Sequence, residues 1–323
     1  MRIAVDGRHL ATGRGVARYS EALLEALRAG FAGEDWRVVA RRGRAWYAAG
    51  AAFGRPTLDQ AAGGADVVWL PAPAPVAVSK GVPYVVTVHD LSWVARPSDF
   101  SLYERGWHRA ARVPRLLKRA AAVIAVSETT RDAVVSAGFV SEERVCVVRS
   151  GPGFGTVSGE FARGGPDCRT RQHFLVVGTR EPRKEPEVAE RAHALARGRG
   201  LQADLVFSDG VSDDDLRGLY AGALAVVHPA HLEGFGFPPI EGLLYGAPAI
   251  VADLPVYDET IGGGALRFPV GDAEKLADAM LAIENDPALR ARLVEQGQAQ
   301  IADLSWDRAA QQTHAILTEA AAR

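Results

Sequence analysis

The stretch HPAHLEGFGFPPIEGLLYGAPAIVAD, residues 228–253, gathers the side chains best suited to holding a charged ligand. Two carboxylates, Glu233 and Glu241, flank Gly234-Phe235-Gly236-Phe237, and the segment follows an apolar run over residues 225–228. Pro238 and Pro239 suit the first turn of a helix, where a missing N–H costs nothing. Backbone amides of residues 234–237 would then converge on a helix start. The glycines permit close approach of a ligand, and the helix dipole favours negative charge. A diphosphate is the natural candidate. In this reading Glu241 falls in the first helical turn, where dipole stabilisation of ~0.3–1 kcal/mol would explain it without any function. Glu233 alone would be an ordinary loop carboxylate. Two carboxylates bracketing a Gly-Phe-Gly-Phe loop at a strand-to-helix junction are harder to dismiss.

Other clusters are weaker when taken alone. VVGTREPRKEP, residues 176–186, places Arg180, Arg183 and Lys184 after an apolar run, where single cations are commonly solvated surface charges. His89 ends the apolar run YVVTVHD, at the carboxyl end where ligands bind in open α/β sheets. Asp213-Asp214-Asp215 suggests a metal site, but Ser212 and Asp215 form an S-x-x-D capping box and the other acids suit the first turn of a helix. ATGRGVARY, which contains Gly15, is not a dinucleotide GxGxxG fingerprint. YERGWHRAARVPRLLKRA, residues 103–120, puts Arg105, Arg109, Arg112 and Arg119 on one side of a helical wheel, with Trp107 and Leu117 elsewhere. That is either a solvated face or a surface for an anionic acceptor or lipid headgroups, and Pro114 interrupts it.

These groups must be positioned by alternating strands and helices. Candidate strands span residues 3–5, 36–40, 67–70, 84–89, 123–126 and 145–148, then 174–177, 203–207, 225–228 and 249–252. Strands separated by helical stretches imply βαβ units around parallel sheets. SGPGFGTVSGEFARGGPDCRT, residues 150–170, is rich in Gly, Ser and Pro and reads as a linker. The expected division is therefore an α/β domain over 1–155, a second over 170–303, and a C-terminal helix over 304–323, capped by Ser305 and packing back toward the first domain.

Composition narrows the class. The chain has 323 residues, 48% of them hydrophobic, enough for two ordinary cores. A formal net charge of −2 gives no general pull toward nucleic acid. Cys146 and Cys168 are the two cysteines, which argues against a disulfide framework or zinc site and suggests a reducing cytoplasm. MRIAVDGR lacks the layout of a signal peptide, and no apolar run approaches the ~20 residues needed to span a bilayer. The expected location is cytoplasmic, with peripheral contact at the inner membrane face through residues 103–120 as the membrane alternative.

The spacing Glu233-x7-Glu241 resembles the E-x7-E signature of retaining glycosyltransferases of family 4, which have the GT-B fold of two doubly wound Rossmann-like domains with a cleft between them. EGFGFPPIEGLLYGAPAI is similar to the family's core motif across its width. VVGTREPRKEP resembles its phosphate loop, and DGVSDDDLRGLY its base-contacting turn. HDLSW, AVSETTRDAV and GVARY resemble landmarks of its N-terminal domain, so the likeness spans essentially the whole chain.

The resemblance implies a nucleotide-sugar donor. Glu241 would bind the ribose hydroxyls, Glu233 would face the transferred sugar or its phosphate, and the backbone of Gly234, Phe235, Gly236 and Phe237 would hold the diphosphate and hexose. Lys184 and a neighbouring arginine, Arg183 in preference to Arg180, would neutralise the leaving phosphate. Gly210 and Val211 would meet the base, His89 the sugar hydroxyls, and Gly15 the phosphate and acceptor. Glu185-Pro186 departs from the family's usual Asn or Gly after the lysine.

A retaining hexosyl transfer follows, by same-face displacement without a protein nucleophile, a cofactor or a metal. GDP-mannose is favoured as donor with UDP-glucose as the alternative, and a glycan, glycolipid or small molecule accepts the sugar. A catalytically idle nucleotide-sugar binder is a second reading, and an epimerase or phosphorylase of the same fold is a third.

Overall fold

The computed structural model describes residues 1–10, 15–40, 42–153, 173–178 and 180–323, with backbone alone at 44, 48, 51, 104, 107 and 110. Cys168 and most of the expected linker, residues 154–170, lie outside the described residues. The chain forms two compact units: residues 1–151 together with 304–323, and residues 152–303.

In the first unit six strands, β1 (Arg2–Gly7), β2 (Asp35–Ala40), β3 (Val67–Leu70), β4 (Tyr84–Val88), β5 (Ala122–Ala125) and β6 (Val145–Val147), form one sheet. Its order is β2-β1-β3-β4-β5-β6 and every pairing is parallel. The strands are apolar on both faces because helices cover both sides, as a parallel sheet requires. Val68, Leu70, Val86, Val88, Val123 and Ala125 belong to one core cluster with Val113, Leu117 and Val134. On the strands' alternate positions Trp69 Nε1 donates to Thr87 Oγ1 at 3.1 Å, with Tyr19 Oη 3.4 Å from the same hydroxyl, and all three residues are fully buried.

The second unit holds β7 (His173–Val176), β8 (Asp204–Phe207), β9 (Ala223–His228), β10 (Ala249–Ala252) and β11 (Ala265–Phe268) in the parallel order β11-β10-β9-β7-β8. Alternation along β7 sends Phe174 and Val176 into one core cluster and Leu175 into another. β11 went unrecognised in the sequence: Ala265–Phe268 is an edge strand, only partly buried until Phe268, and follows three glycines.

The last helix, Trp306–Ala321, packs in the first unit against the helix Gly15–Gly30 and strands β3 and β4. His314 stacks on Phe31 at 3.7 Å between ring centroids, and its Nε2 lies 2.9 Å from Glu34 Oε1. The Glu34 carboxylate also pairs with the Met1 ammonium at 2.7 Å. Among the described residues no helix is long and apolar enough to cross a membrane.

The segment over residues 103–120 is two helices, Leu102–Ala111 and Val113–Arg119, broken at Arg112, whose φ of 45° is left-handed. A single helical wheel therefore does not describe it, and Arg119 does not continue the row of Arg105 and Arg109. Leu117 is fully buried in the core. Pro114 sits in the first turn of the second helix, where its ring is tolerated.

Ser305 caps the last helix by accepting from the Arg308 amide at 3.1 Å. Replacing it with alanine orphans that donor, and Ser305→Ala should lower stability by about 1 kcal/mol in a denaturant titration.

Candidate functional site

In the second unit β8 lies on one side of β7 and β9 on the other, so the strand order reverses between β7 and β9. Open α/β sheets bind ligands outside the carboxyl ends of their strands at such a point. The two connections leaving it carry the two richest motifs of the sequence, residues 177–186 after β7 and 229–236 after β9.

After β7 the chain turns through Gly178, whose φ is 107°. A Cβ built there would lie 2.0 Å from Lys184 Nζ, so the ammonium occupies the space a side chain would fill. A 3-10 turn over Pro182–Lys184 brings the lysine back over this glycine. Burial, and after it the charge of Arg183, pulls the Lys184 ammonium below the ordinary lysine value, while Glu233, Glu181 and Glu241 act in the opposite sense. The Lys184 amide donates to the Glu181 carbonyl at 2.9 Å, while among the described residues the ammonium itself makes no hydrogen bond or ion pair. Glu185 caps the helix Pro186–Gly198 in a left-handed conformation at φ 47°. Its Oε1 lies 3.2 Å from His231 Nδ1, so the carboxylate that departs from the family pattern has a partner of its own.

The two arginines separate. Arg180 is exposed, pairs with Glu190, and lies 4.6 Å over the Phe207 ring. Arg183 is half-buried, pairs with Glu181 at 2.9 Å, and its charge reaches both Lys184 and Glu233. The structure thus brings Arg183, Lys184 and Glu233 into one electrostatic group and leaves Arg180 at its edge.

His228 ends β9 almost fully buried, and its Nε2 donates to Glu233 Oε2 at 3.1 Å. Burial opposes the Glu233 charge most strongly, but His228, Arg183 and Lys184 together outweigh it and hold the carboxyl well below the usual range. Glu233 is therefore a fixed negative charge at neutral pH. Its other oxygen accepts from the Gly234 amide at 3.2 Å. Gly236, at φ 83°, caps the helix Phe237–Leu244, and a Cβ there would come within 2.8 Å of the Tyr257 ring. Phe235 is buried against Phe237, 5.3 Å between ring centroids, so only the backbone of residue 235 is open to a ligand role. Tyr257 was not singled out from the sequence. Its ring is fully buried, edge-on to His228 at 6.5 Å, and burial pushes its phenol well above the ordinary value.

Glu241 corrects the sequence reading. The helix begins at Phe237 with both prolines in its first turn, which puts Glu241 in the second turn. It is only 1% exposed and accepts from Tyr220 Oη. A Cβ on Gly153 would lie 1.9 Å from Glu241 Oε1, so backbone packs directly on the carboxylate. Dipole stabilisation does not account for a carboxylate built into the interior in this way.

Beyond β8, Gly210 turns at φ 75° and Val211 is 39% exposed. Ser212 caps the next helix by accepting from the Asp215 amide at 3.1 Å, and its hydroxyl donates to Asp215 Oδ2 at 2.6 Å, which makes the acidic run a capping box. Among the described residues no group of three or more His, Cys, Asp or Glu is arranged to hold a metal ion.

His89 and Gly15 belong to the first unit. His89 Nε2 donates to the Pro71 carbonyl at 2.9 Å and Tyr19 meets its ring edge-on at 4.6 Å. Gly15 opens the helix Gly15–Gly30, and among the described residues nothing lies within 4 Å of a Cβ built there. Sequence reasoning passed over a neighbouring pair. Arg8 Nε meets Asp6 Oδ2 at 2.9 Å, both residues are buried, and Arg8 also donates to the carbonyls of Ala72 at 3.1 Å and Pro73 at 2.5 Å. The signal was DGR at the carboxyl end of the first strand.

Residues 18–151 match the family model described as Glycosyltransferase Family 4, and residues 167–300 that of Glycosyl transferases group 1. The O-antigen chain mannosyltransferase RfbU of Salmonella typhimurium is 27% identical over 228 residues, covering 62% of this chain and 61% of the relative. Sucrose-phosphate synthase from Thermosynechococcus elongatus has a TM-score of 0.69 at 16% identity, over 99% of this chain and 98% of its own. Anabaena HepE, solved in complex with UDP and glucose, reaches 0.67 at 16% identity over 98% and 99%. Two parallel-sheet units with these structural neighbours define a GT-B, Rossmann-like fold. The chain belongs to glycosyltransferase family 4, its two family matches accounting for most of its length. It spans 61% of the length of RfbU.

The depressed Glu233 carboxyl fixes the sign of a pH effect. Its contribution to stability is fully present above the unfolded value of about 4.5 and is lost as pH falls through the lower folded value. Glu233→Gln should flatten the acid limb of a stability-versus-pH curve measured by denaturant midpoints. An unchanged acid limb would mean that the carboxylate is not held as described.

Proposed function

We propose that this chain is a retaining hexosyltransferase that moves a sugar from a nucleoside-diphosphate donor to a glycan, glycolipid or small-molecule acceptor. The observation that carries the proposal is Lys184: a largely buried ammonium that touches no carboxylate directly among the described residues, beside Arg183, at the carboxyl ends of β7 and β9. A diphosphate supplies the missing anion. As the bond to the sugar breaks, negative charge grows on the departing phosphate, and preorganised cations act on it without reorganising. Arg183 takes the second cationic position, and the amides of residues 234–237 at the start of Phe237–Leu244 add donors.

Glu241, held by Tyr220, is the acceptor for the ribose hydroxyls in this reading. Glu233, ionised and oriented by His228, faces the transferred hexose. Gly210 and Val211 meet the base, with Arg180 and Phe207 beside them. His89 takes sugar hydroxyls, and Gly15 approaches phosphate and acceptor. A fixed carboxylate with a depressed pKa suits charge stabilisation and is a poor proton shuttle near neutral pH. The donor phosphate therefore deprotonates the acceptor on the same face of the sugar, and no metal or cofactor takes part.

Likeness to the mannosyltransferase RfbU supports a mannosyl donor, read here as GDP-mannose, whereas HepE was solved with UDP, which keeps UDP-glucose as the alternative. Glu185, the departure from the family pattern, is engaged with His231, which supports a working transferase over an idle nucleotide-sugar binder.

A thermal-shift panel of GDP, UDP, ADP and dTDP, without added metal, tests the donor site. A ligand at 100 times its Kd adds ~2.7 kcal/mol of stability. One nucleotide should raise the midpoint clearly, and Lys184→Ala and Glu241→Ala should each abolish most of the shift. No shift with any nucleotide would count against the assignment.

A further inference from the structure

The first unit carries a second concentration of cations, remote in sequence from the donor-site residues of the second unit. Arg105, Arg109 and Arg112, with His108, line a hollow of about 400 Å³ whose remaining walls are Trp93, Pro97, Phe100 and Pro114. That volume is of the size that accommodates small ligands. The wall is aromatic and ordered: His108 stacks on Trp93 at 5.3 Å with an interplanar angle of 9°, Phe100 meets His108 edge-on at 5.5 Å, and Trp93 stacks at 6.1 Å on Phe139.

Among the described residues no carboxylate lines the hollow, and the nearby Asp99 pairs with Arg96 at 3.5 Å. Among the described residues the side chains of Arg105, Arg109 and Arg112 have no ion pair or hydrogen bond. Three guanidiniums around one hollow repel one another, and surface arginines ordinarily avoid this by pairing with acids. Arg112 adds a second oddity. It stands at φ 45°, a conformation that disfavours any side chain and that Gly or Asn adopts more readily. A β-carbon is tolerated there, at a cost of order 1–2 kcal/mol, on the residue that aims a guanidinium at the hollow.

Arginine forks match phosphate oxygens bidentately, and an aromatic wall takes an apolar or sugar face. We propose that this hollow is a binding site for a phosphate or diphosphate group carried on an apolar or sugar moiety. Its occupant is the acceptor of the transfer, an assignment of role that rests on the function proposed above. The site itself does not rest on it. The phosphate has two possible sources, a lipid-linked diphosphate and a free phosphorylated sugar, which share the headgroup chemistry and differ in the tail.

Direct binding to the full chain separates these cases. Calorimetric titration with inorganic pyrophosphate, with a short-chain prenyl diphosphate and with glucose 6-phosphate should give saturable binding of at least one. Arg112→Gly relieves the backbone while removing the guanidinium, so it keeps the fold and should weaken that binding tenfold or more. Arg109→Ala should do the same, and both losses should also appear in a Lys184→Ala background, where the donor site no longer competes for diphosphate. Prenyl diphosphate binding at least tenfold tighter than pyrophosphate identifies a lipid-linked ligand. Glucose 6-phosphate at least as tight as prenyl diphosphate identifies a soluble one. Binding of none of the three, or binding indifferent to Arg112→Gly and Arg109→Ala, overturns the proposal. The nucleotide shift of the preceding section, measured on Arg112→Gly, should be retained. Its absence in the parent protein as well would sink the transferase reading while leaving the phosphate site standing.

Discussion

The second unit is organised around one electrostatic requirement: a carboxylate held against burial has to be surrounded by positive charge. Glu233 is that group, and desolvation acts on it more strongly than any single partner does. His228 from the end of β9 supplies the hydrogen bond, while Arg183 and Lys184 arrive from the connection after β7. Neither connection meets the requirement alone. The parallel pairing of β7 with β9 is what brings their carboxyl ends side by side. Lys184, in turn, is tolerated in a largely desolvated position because carboxylates lie within reach of its charge.

Glycine does the spatial part of this work. At Gly178 the absent side chain leaves room for an ammonium, and at Gly236 it leaves room for the Tyr257 ring while permitting a left-handed cap. Gly153 lets backbone lie directly on Glu241. In each case the neighbour is a side chain of the charged group or one packed against it. The glycines therefore set distances between charges, which is a different task from loosening a loop. The first unit treats the same end of its sheet differently. There a buried ion pair, Asp6 with Arg8, fastens the connection after β1 to the carbonyls after β3.

Much of this was readable from local sequence because the signals are local. Short β-branched and apolar runs separated by helical stretches gave ten of the strands to within a residue or two, since a strand buried on both faces needs little besides apolar side chains. The cap at Ser305 and the box Ser212–Asp215 are complete within four residues. Features built from distant residues were invisible. Glu241 read as a first-turn acid because nothing near it announces Tyr220 or Gly153, and Phe237 starts the helix earlier than the prolines suggest. The arginines of residues 103–120 read as one stripe because a left-handed arginine at 112 is not a sequence signal. β11 escaped because an edge strand of Ala-Leu-Arg-Phe carries little pattern.

The membership of residues 304–323 in the first unit carries a consequence for biosynthesis. The helix Trp306–Ala321 covers the face of β3 and β4 that buries Trp69, Thr87 and Tyr19, yet it is translated after the whole of the second unit. At ribosomal speeds of about 5–20 residues per second, all of residues 152–303 emerge first, a wait on the order of ten seconds. During that interval the first unit exists with one apolar face uncovered. The second unit, continuous in sequence, has no such delay. Nascent chains should therefore complete their domains in reverse order of appearance, with the later domain closed before the earlier one is sealed.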